Sequence, residues 1–479
     1  MWRFRANWAV ILLPFALWGI SQLADFDGLY GQDAHEYLRQ SKAFFLRMNG
    51  GATPPVEPGD YEFGAGYPLL GALFQFWSPD PVSALQWANW FSAAVGLFFF
   101  IRLNRLLLPG APQRSHLLFA LFLIFTPVWM RSALSDMSDM TAIAAVLGSL
   151  YFLLMAADRS AALYLIAAGG LAGWAAATRI AVIPLLAPMA IWTVFLLVRR
   201  RHWGVLVLFG AALFAGWWPH EWARQPLQGH WGGSSLGAHW SFQHFLMRDM
   251  SGPSGGSHYF LPNIAYILSP LLHIGFCVLL PALFFLFRKT DLYLPEKKAI
   301  LAGVILYLLL LGGLPVQSIR YLLPVWTTGL LLLFPAWDRF VCYGFYFTRK
   351  YTTLILSLIV LTQLVGMGIY LPPLIQRNHQ ERRIAGKVAQ HVPEQIPIYA
   401  IDWDVALRSR LTRHHLVNLW VTRYDHFPDT CFFLFSEKNI NGQWQNMNPQ
   451  FNVNLAKETG RMIRVDSLEK DWCLYRRTP

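Results

Sequence analysis

Long apolar runs recur through the first three quarters of this chain and leave it few ways to fold. A hydrocarbon core about 30 Å thick is crossed by a helix of about 17–25 apolar residues, because inside lipid every backbone N–H and C=O must bond within the spanning structure. Runs of this kind lie at 8–24, 84–103, 115–130, 140–157, 161–177, 180–198, 203–219, 264–287, 299–314, 322–337 and 352–371, and they predict about eleven transmembrane helices. Only 14% of the 479 residues are charged, against roughly 25% in soluble domains, and the mean hydropathy is +0.36. An ordinary soluble enzyme is excluded.

The surplus of 39 Lys and Arg over 27 Asp and Glu would in a soluble protein raise nucleic-acid binding. Its distribution points elsewhere. If the spans alternate from a cytoplasmic N-terminus, Arg3, Arg5, Arg102, Arg105, Arg114, Arg159, Arg199–Arg201, Arg288, Lys289, Lys297, Lys298, Arg339, Arg349 and Lys350 all fall on one side, as the positive-inside rule requires. No nucleic-acid partner is expected. The other side receives Asp25, Asp27, Asp33, Glu36, Glu57, Asp60, Glu62, Asp136, Asp139, Glu221 and Asp249. The first run is read as a span and not as a cleaved signal, since no small-x-small site follows Leu23. A bacterial inner membrane is the expected location, although an endoplasmic-reticulum membrane with a lumenal face obeys the same rules.

Composition changes near residue 374. The last 105 residues carry 26 charged ones, whereas the first 374 carry roughly 11%, so a membrane domain, 1–374, is expected to precede a small α/β domain, 375–479, which an odd span count places outside. The tail's expected elements are a helix at 380–391 and strands at 396–401, 431–435 and 472–475. Cys277 and Cys342 fall in or beside spans, while Cys431 and Cys473 lie in the tail. An oxidising compartment permits a Cys431–Cys473 disulfide, and two buried apolar thiols are the alternative.

The polar chemistry gathers on the external face, with its long loops 25–83 and 220–263. In the first, Asp33-Ala34-His35-Glu36-Tyr37-Leu38-Arg39 opens a stretch with the pattern of an interfacial amphipathic helix. Asp33 is either a cap in the first turn, where the dipole favours a carboxylate, or a functional acid. Ser135-Asp136-Met137-Ser138-Asp139 fills the turn before the fourth span; Ser138 or Asp139 could cap that helix, yet carboxylates at membrane depth are functional candidates by default. Arg179 and Arg320 add cations near the same face, suited to an anionic headgroup or phosphate. The second loop, with Gly232-Gly233-Ser234-Ser235 and Ser251-Gly252-Pro253-Ser254-Gly255-Gly256, reads as a mobile acceptor-contacting segment. His220, His230, His239, His244 and His258 follow no compact ligand spacing, so no metal is expected.

These residues resemble the GT-C superfamily of polytopic glycosyltransferases, near its protein O-mannosyltransferase and aminoarabinose transferase branch. Gly31-Gln32-Asp33-Ala34-His35-Glu36-Tyr37 looks like that group's catalytic acidic motif, and Gly66-Tyr67-Pro68-Leu69-Leu70 like the element closing the same loop. Ser138-Asp139-Met140 stands for the second acidic motif, Thr178-Arg179 for a recurring Thr-Arg, and Ser318-Ile319-Arg320-Tyr321-Leu322-Leu323-Pro324 for a late Arg-Tyr element. Two departures stand out: Asp33-Ala34 replaces the mannosyltransferases' Asp-Glu pair, and Gly66-Tyr67 replaces the basic residue before Pro-Leu in the aminoarabinose branch. Neither substrate is therefore carried across.

The resemblance implies an α-helical polytopic membrane protein that moves a sugar from a polyprenyl-phosphate carrier to an acceptor hydroxyl on a protein, lipid or glycan, with inversion. It implies Asp33 as general base, Arg179, Arg320 and Tyr321 at the carrier phosphate, and Glu36, Tyr67, Asp136 and Asp139 positioning acceptor or sugar. No cofactor is expected beyond the lipid-linked donor. A lipid or lipid-linked-sugar flippase and an envelope oligosaccharide ligase or polymerase are the competing readings. Transporters place charge near the midplane and often contain inverted repeats, and neither is seen here.

Overall fold

The computed structural model describes residues 10–51, 64–159, 162–228, 240–252, 255–276, 283, 286–347, 349–469 and 471–479. Arg3, Arg5, Glu57, Asp60, Glu62, His230, Gly232, Gly233, Ser234, Ser235, His239, Pro253, Ser254 and Cys277 lie outside the described residues.

The first apolar run ends in α1 (Leu17–Leu23). The long loop that follows forms α2 (Gly31–Met48) and α3 (Gly66–Phe74). In α2, Asp33 sits in the first turn and Arg47 in the last, the order that the helix dipole favours. The bundle continues through α4 (Pro81–Leu107), α5 (Gln113–Ile124), α6 (Pro127–Leu134), α7 (Asp139–Arg159), α8 (Ala162–Thr178), α9 (Ile183–Arg199) and α10 (Trp203–Gln228). The Asp80 side chain caps α4 by accepting from the Ser83 amide, with Pro81 in the first turn.

The second long loop contributes a hairpin, β1 (Asp249–Gly252) and β2 (Gly255–His258), before α11 (Asn263–Leu268). Helices α12 (Pro295–Gly312), α13 (Leu323–Phe347) and α14 (Arg349–His391) follow. Six helices among the described residues are long and apolar enough to cross a membrane, or seven if α5 and α6 form one bent span.

Two expected spans take a different form. The run at 115–130 is bent by 66° between α5 and α6, because Pro127 supplies no amide and disfavours helical backbone at Thr126. The run at 264–287 leaves the helix after Leu268, passing through a short 3-10 turn over Ser269–Leu271 that contains Pro270.

Helix α14 carries the chain out of the bundle without a break. Leu374 belongs to the apolar core of the membrane helices, and ten positions further on Ile384 belongs to the core of the C-terminal domain. That domain holds β3 (Ile398–Ala400), α15 (Asp404–Arg410), β4 (Leu416–Asn418), β5 (Cys431–Ser436), α16 (Glu437–Asn441), α17 (Asn448–Glu458), β6 (Arg461–Glu469) and β7 (Trp472–Thr478). The sheet order is β4-β3-β5-β7-β6, with β3 parallel to β4 and β5 and the β5-β7-β6 edge antiparallel. Strand β5 is buried throughout because alternate residues serve two cores: Phe432 and Leu434 face α14 and α15, while Cys431, Phe433 and Phe435 pack with Trp444 and Val453.

The disulfide reading is corrected by this register. Cys473 lies opposite Phe435 and Cys431 opposite Arg477, four positions apart, or roughly 13 Å along the strand. A disulfide needs Cα atoms within about 7 Å, and both thiols are free and buried.

Candidate active site at one end of the bundle

Residues far apart in sequence converge here through helix ends. Asp33, in the first turn of α2, forms an ion pair with the Arg320 guanidinium. Both side chains are about one-fifth exposed, at 22% and 23%, so the pair is open to a ligand. Asp33 is not the helix cap: that position is Tyr30, in extended conformation and without a side-chain bond.

Asp139, in the first turn of α7, forms an ion pair with Arg179, which follows α8. The carboxylate of this pair is buried, with a side-chain exposure of 1%. Tyr321 joins the two pairs. Its ring centroid lies 4.4 Å from the Arg179 guanidinium carbon and 5.3 Å from that of Arg320, within cation–π range of both. Arg320 also reaches the Met137 sulfur at 3.0 Å, and the Tyr37 hydroxyl lies 2.9 Å from Ser138 Oγ. The site therefore holds two carboxylates and two guanidinium groups around one tyrosine ring.

Backbone geometry fixes this arrangement. The Tyr266 hydroxyl donates to the Ser318 carbonyl at 2.5 Å and accepts from the Ser318 amide at 3.1 Å, while the Tyr307 hydroxyl donates to the Tyr321 carbonyl at 3.0 Å. These two tyrosines, on α11 and α12, hold the turn that presents Arg320. Glycine permits a second close approach: a Cβ on Gly66 would lie 2.2 Å from Thr178 Oγ1. The loop element at Gly66 and the Thr178-Arg179 element thus meet directly.

The remaining candidates stand around this centre. Tyr67 is fully buried, donates to the Leu85 carbonyl at 3.2 Å and meets Tyr37 edge to face at 5.4 Å. It supports the wall of the site through Tyr37. Asp136 is buried, and neither carboxylate oxygen has a hydrogen-bond partner among the described residues. Its side chain fills the space beside Gly28, whose φ of +85° suits glycine. Burial, with Asp27 and Asp80 nearby, pushes the Asp136 carboxyl well above the usual range. Glu36 is engaged by its own helix, accepting from Arg39 at 3.1 Å and Gln40 at 3.2 Å, and is not joined to the Asp33 pair.

The described histidines do not assemble. His220 accepts from the Ala65 amide at 3.1 Å, His244 contacts the Gly313 carbonyl at 2.7 Å, and His258 pairs with Asp249 at 2.5 Å. Among the described residues no group of three or more His, Cys, Asp or Glu is placed to hold a metal ion.

One residue that sequence reasoning did not single out ties the site to the C-terminal domain. His35 is fully buried, with Nδ1 2.5 Å from Ser409 Oγ and Nε2 2.8 Å from Glu381 Oε2. Nearby, Asn378 donates to the Leu29 carbonyl at 2.7 Å, and Arg382 and Arg410 pair with Asp25 and Asp27 at 3.0 and 3.1 Å. The α14 end and α15 are thereby latched onto the loop that carries Asp33. The only sequence signal is His35 itself, two residues from Asp33; its partners lie 346 and 374 positions away.

No protein-family model and no curated protein matches the sequence. The structure is similar to that of ArnT from Cupriavidus metallidurans bound to undecaprenyl phosphate, with TM-score 0.59 and 15% identity, covering 98% of this chain and 97% of that one. It is also similar to the Archaeoglobus fulgidus oligosaccharyltransferase tethered with an acceptor peptide, with TM-score 0.56 and 10% identity, covering 100% of this chain and 74% of that one. The architecture of this chain, a polytopic helical membrane domain followed by a small sheet domain, is the GT-C fold that these two proteins share.

Proposed function

We propose that this protein is a membrane glycosyltransferase that takes a sugar from a polyprenyl-phosphate carrier and passes it, with inversion, to an acceptor hydroxyl on the external face. The observation that carries the reading is the meeting of the Asp33–Arg320 and Asp139–Arg179 pairs around Tyr321. Structural neighbours bear on it: ArnT is bound to undecaprenyl phosphate, and a further neighbour, the archaeal oligosaccharyltransferase AglB from Archaeoglobus fulgidus, is in complex with an inhibitory peptide and a dolichol phosphate.

The chemistry follows from charge competition. Without ligand, Arg320 is paired with Asp33. A carrier phosphate arriving at Arg320 and Arg179 offers guanidinium groups a doubly accepting anion, and Asp33 is released toward the acceptor. Asp33 then takes the hydroxyl proton as the acceptor oxygen bonds to the anomeric carbon. The bond from that carbon to the phosphate oxygen breaks, and the polyprenyl phosphate leaves as an anion stabilised by the same arginines. Asp139 holds Arg179 in place, while Tyr67 and Asp136 shape the acceptor side. In this reading the membrane domain ends near residue 374 and the domain beyond it covers the site. The N-terminus is cytoplasmic, the C-terminal domain extracytoplasmic, and the membrane a bacterial inner membrane.

The test is release of polyprenyl phosphate from a panel of polyprenyl-phosphate sugars by the purified protein, with and without Asp33→Asn. Release by the wild type that disappears in the variant supports the reading. Lipid binding with no release from any donor would favour a flippase or a larger lipid-linked donor.

A further inference from the structure

A cavity of about 380 Å³ lies at the junction of α2, α14 and α15, and neither the proposed base nor the phosphate-binding arginines belong to it. Three cations line it, Lys42, Arg382 and Arg410, and no described acidic residue does. The rest of the wall is chiefly apolar, with Leu29, Leu38, Val82 and Leu411.

Two of these cations, Lys42 and Arg410, are incompletely neutralised, whereas Arg382 is matched by Asp25 and Asp27. Arg382 is paired with Asp25, and Arg410 uses Nη1 on Asp27. The other two Arg410 nitrogens, Nε and Nη2, are buried and have no hydrogen-bond partner among the described residues. Together they form the side-on fork of a guanidinium, the geometry that receives two oxygens of one oxyanion. Lys42 is half-buried and makes no hydrogen bond or ion pair among the described residues, and burial lowers its ammonium below the ordinary range despite the charge of Asp80. An anion seated here would meet the Lys42 ammonium and the charge of the Arg410 guanidinium, whose Nε and Nη2 lie behind the cavity wall and become available to it by a turn of the side chain.

The cavity is distinct from the Asp33 site because α2 presents the two on opposite faces. At about 100° per residue, Lys42 lies half a turn around the helix from Asp33, on the side of His35 and Leu38. Ser409 connects them, since it lines the cavity and lies 2.5 Å from His35 Nδ1.

We infer that this cavity is a second binding site, for a phosphate group that is either free or borne on the head of an anionic amphiphile, recognised by the positive charge of Lys42 and Arg410. Its occupant bridges α2, α14 and α15, reinforcing the latch between the C-terminal domain and the helix of Asp33.

The experiment is a titration of the full-length protein, in phosphatidylcholine nanodiscs, with inorganic phosphate and separately with short-chain phosphatidic acid. Saturable binding that persists in Arg320→Ala, which lacks the proposed carrier clamp, and weakens at least tenfold when Lys42→Gln is added to that variant is expected. Equal affinity for the two probes identifies a free phosphate as the occupant, and tighter binding of the lipid identifies a headgroup. Lys42 has no partner to lose, so its substitution leaves the fold undisturbed; Arg410→Gln should weaken binding in parallel. Undiminished affinity on adding Lys42→Gln to Arg320→Ala, loss of all binding in Arg320→Ala alone, or no saturable binding of either probe would overturn the inference. Carrier turnover tests the transferase reading separately, because it depends on Asp33 and Arg320.

Discussion

Asp33 and Arg320 stand 287 positions apart in the chain and form an ion pair at one end of the helix bundle. The pair is partly exposed, so its direct contribution to folding is small, about 0–1 kcal/mol, and its value lies in placing an acid beside a cation. Asp33→Asn should therefore leave the melting temperature close to wild type while lowering turnover by about 10²–10⁴-fold, the usual worth of a general base. Single-turnover measurement of carrier release checks this; retained turnover removes Asp33 from the base role.

The two arginines should behave differently. Arg320→Ala removes a half-open cation and should raise the carrier concentration needed for half-maximal rate, with folding preserved. Arg179→Ala strands the Asp139 carboxylate, whose side chain is 1% exposed, at a cost of about 3–5 kcal/mol. Thermal unfolding in detergent separates them, and equal melting temperatures would show that Asp139 finds another partner or a proton.

Close approach at Gly66 gives a test of the loop contact. A Cβ there would meet Thr178 Oγ1 at 2.2 Å and the Thr178 backbone at 3.0 Å, and the backbone has no rotamer by which to yield. Gly66→Ala should lower stability by about 1–3 kcal/mol through overpacking and disturb Arg179, the next residue. Wild-type stability together with wild-type carrier use would show that the two elements separate easily.

The C-terminal domain carries its own pH dependence. Asp404, 1% exposed, accepts from Asn418 Nδ2 at 2.7 Å, and burial raises its carboxyl from 3.8 to about 6. The folded state thus holds this proton more tightly than the unfolded chain does. Stability from this group is greatest below about pH 4 and falls as pH rises to about 6, by about 3 kcal/mol at 1.36 kcal/mol per unit. Asp404→Asn should abolish that decline and melt higher than wild type at pH 8. Parallel stability curves for the two proteins between pH 4 and 8 would refute it.

Much of the site is legible in the order of residues along the chain. The acid at Asp33, the second acid at Asp139 and the cations Arg179 and Arg320 each sit at the end of a long apolar run, and strict alternation of spans puts all of them on one face. Sidedness follows from hydropathy and charge, which are local properties. Pairing does not: that Asp33 takes Arg320 and Asp139 takes Arg179 depends on how helix ends are arranged, and nothing in the spacing specifies it.

Other features are hidden from the sequence for the same reason. The bend before Pro127 is a local consequence of proline, yet whether such a run crosses the membrane straight or folded is settled by its neighbours. The sheet register that keeps Cys431 from Cys473 joins strands separated by long connections. His35 offers no periodic or compositional signal, because its role is set by Glu381 and Ser409 on elements far along the chain.

By itself the sequence determined that this protein lives in a membrane, which face carries its acids and where its composition turns soluble, since burial in lipid is imposed residue by residue. Only the tertiary structure decided which acid meets which arginine, that the C-terminal domain is latched to the helix of Asp33, and that Lys42 and Arg410 share a cavity, because these contacts arise where distant segments pack.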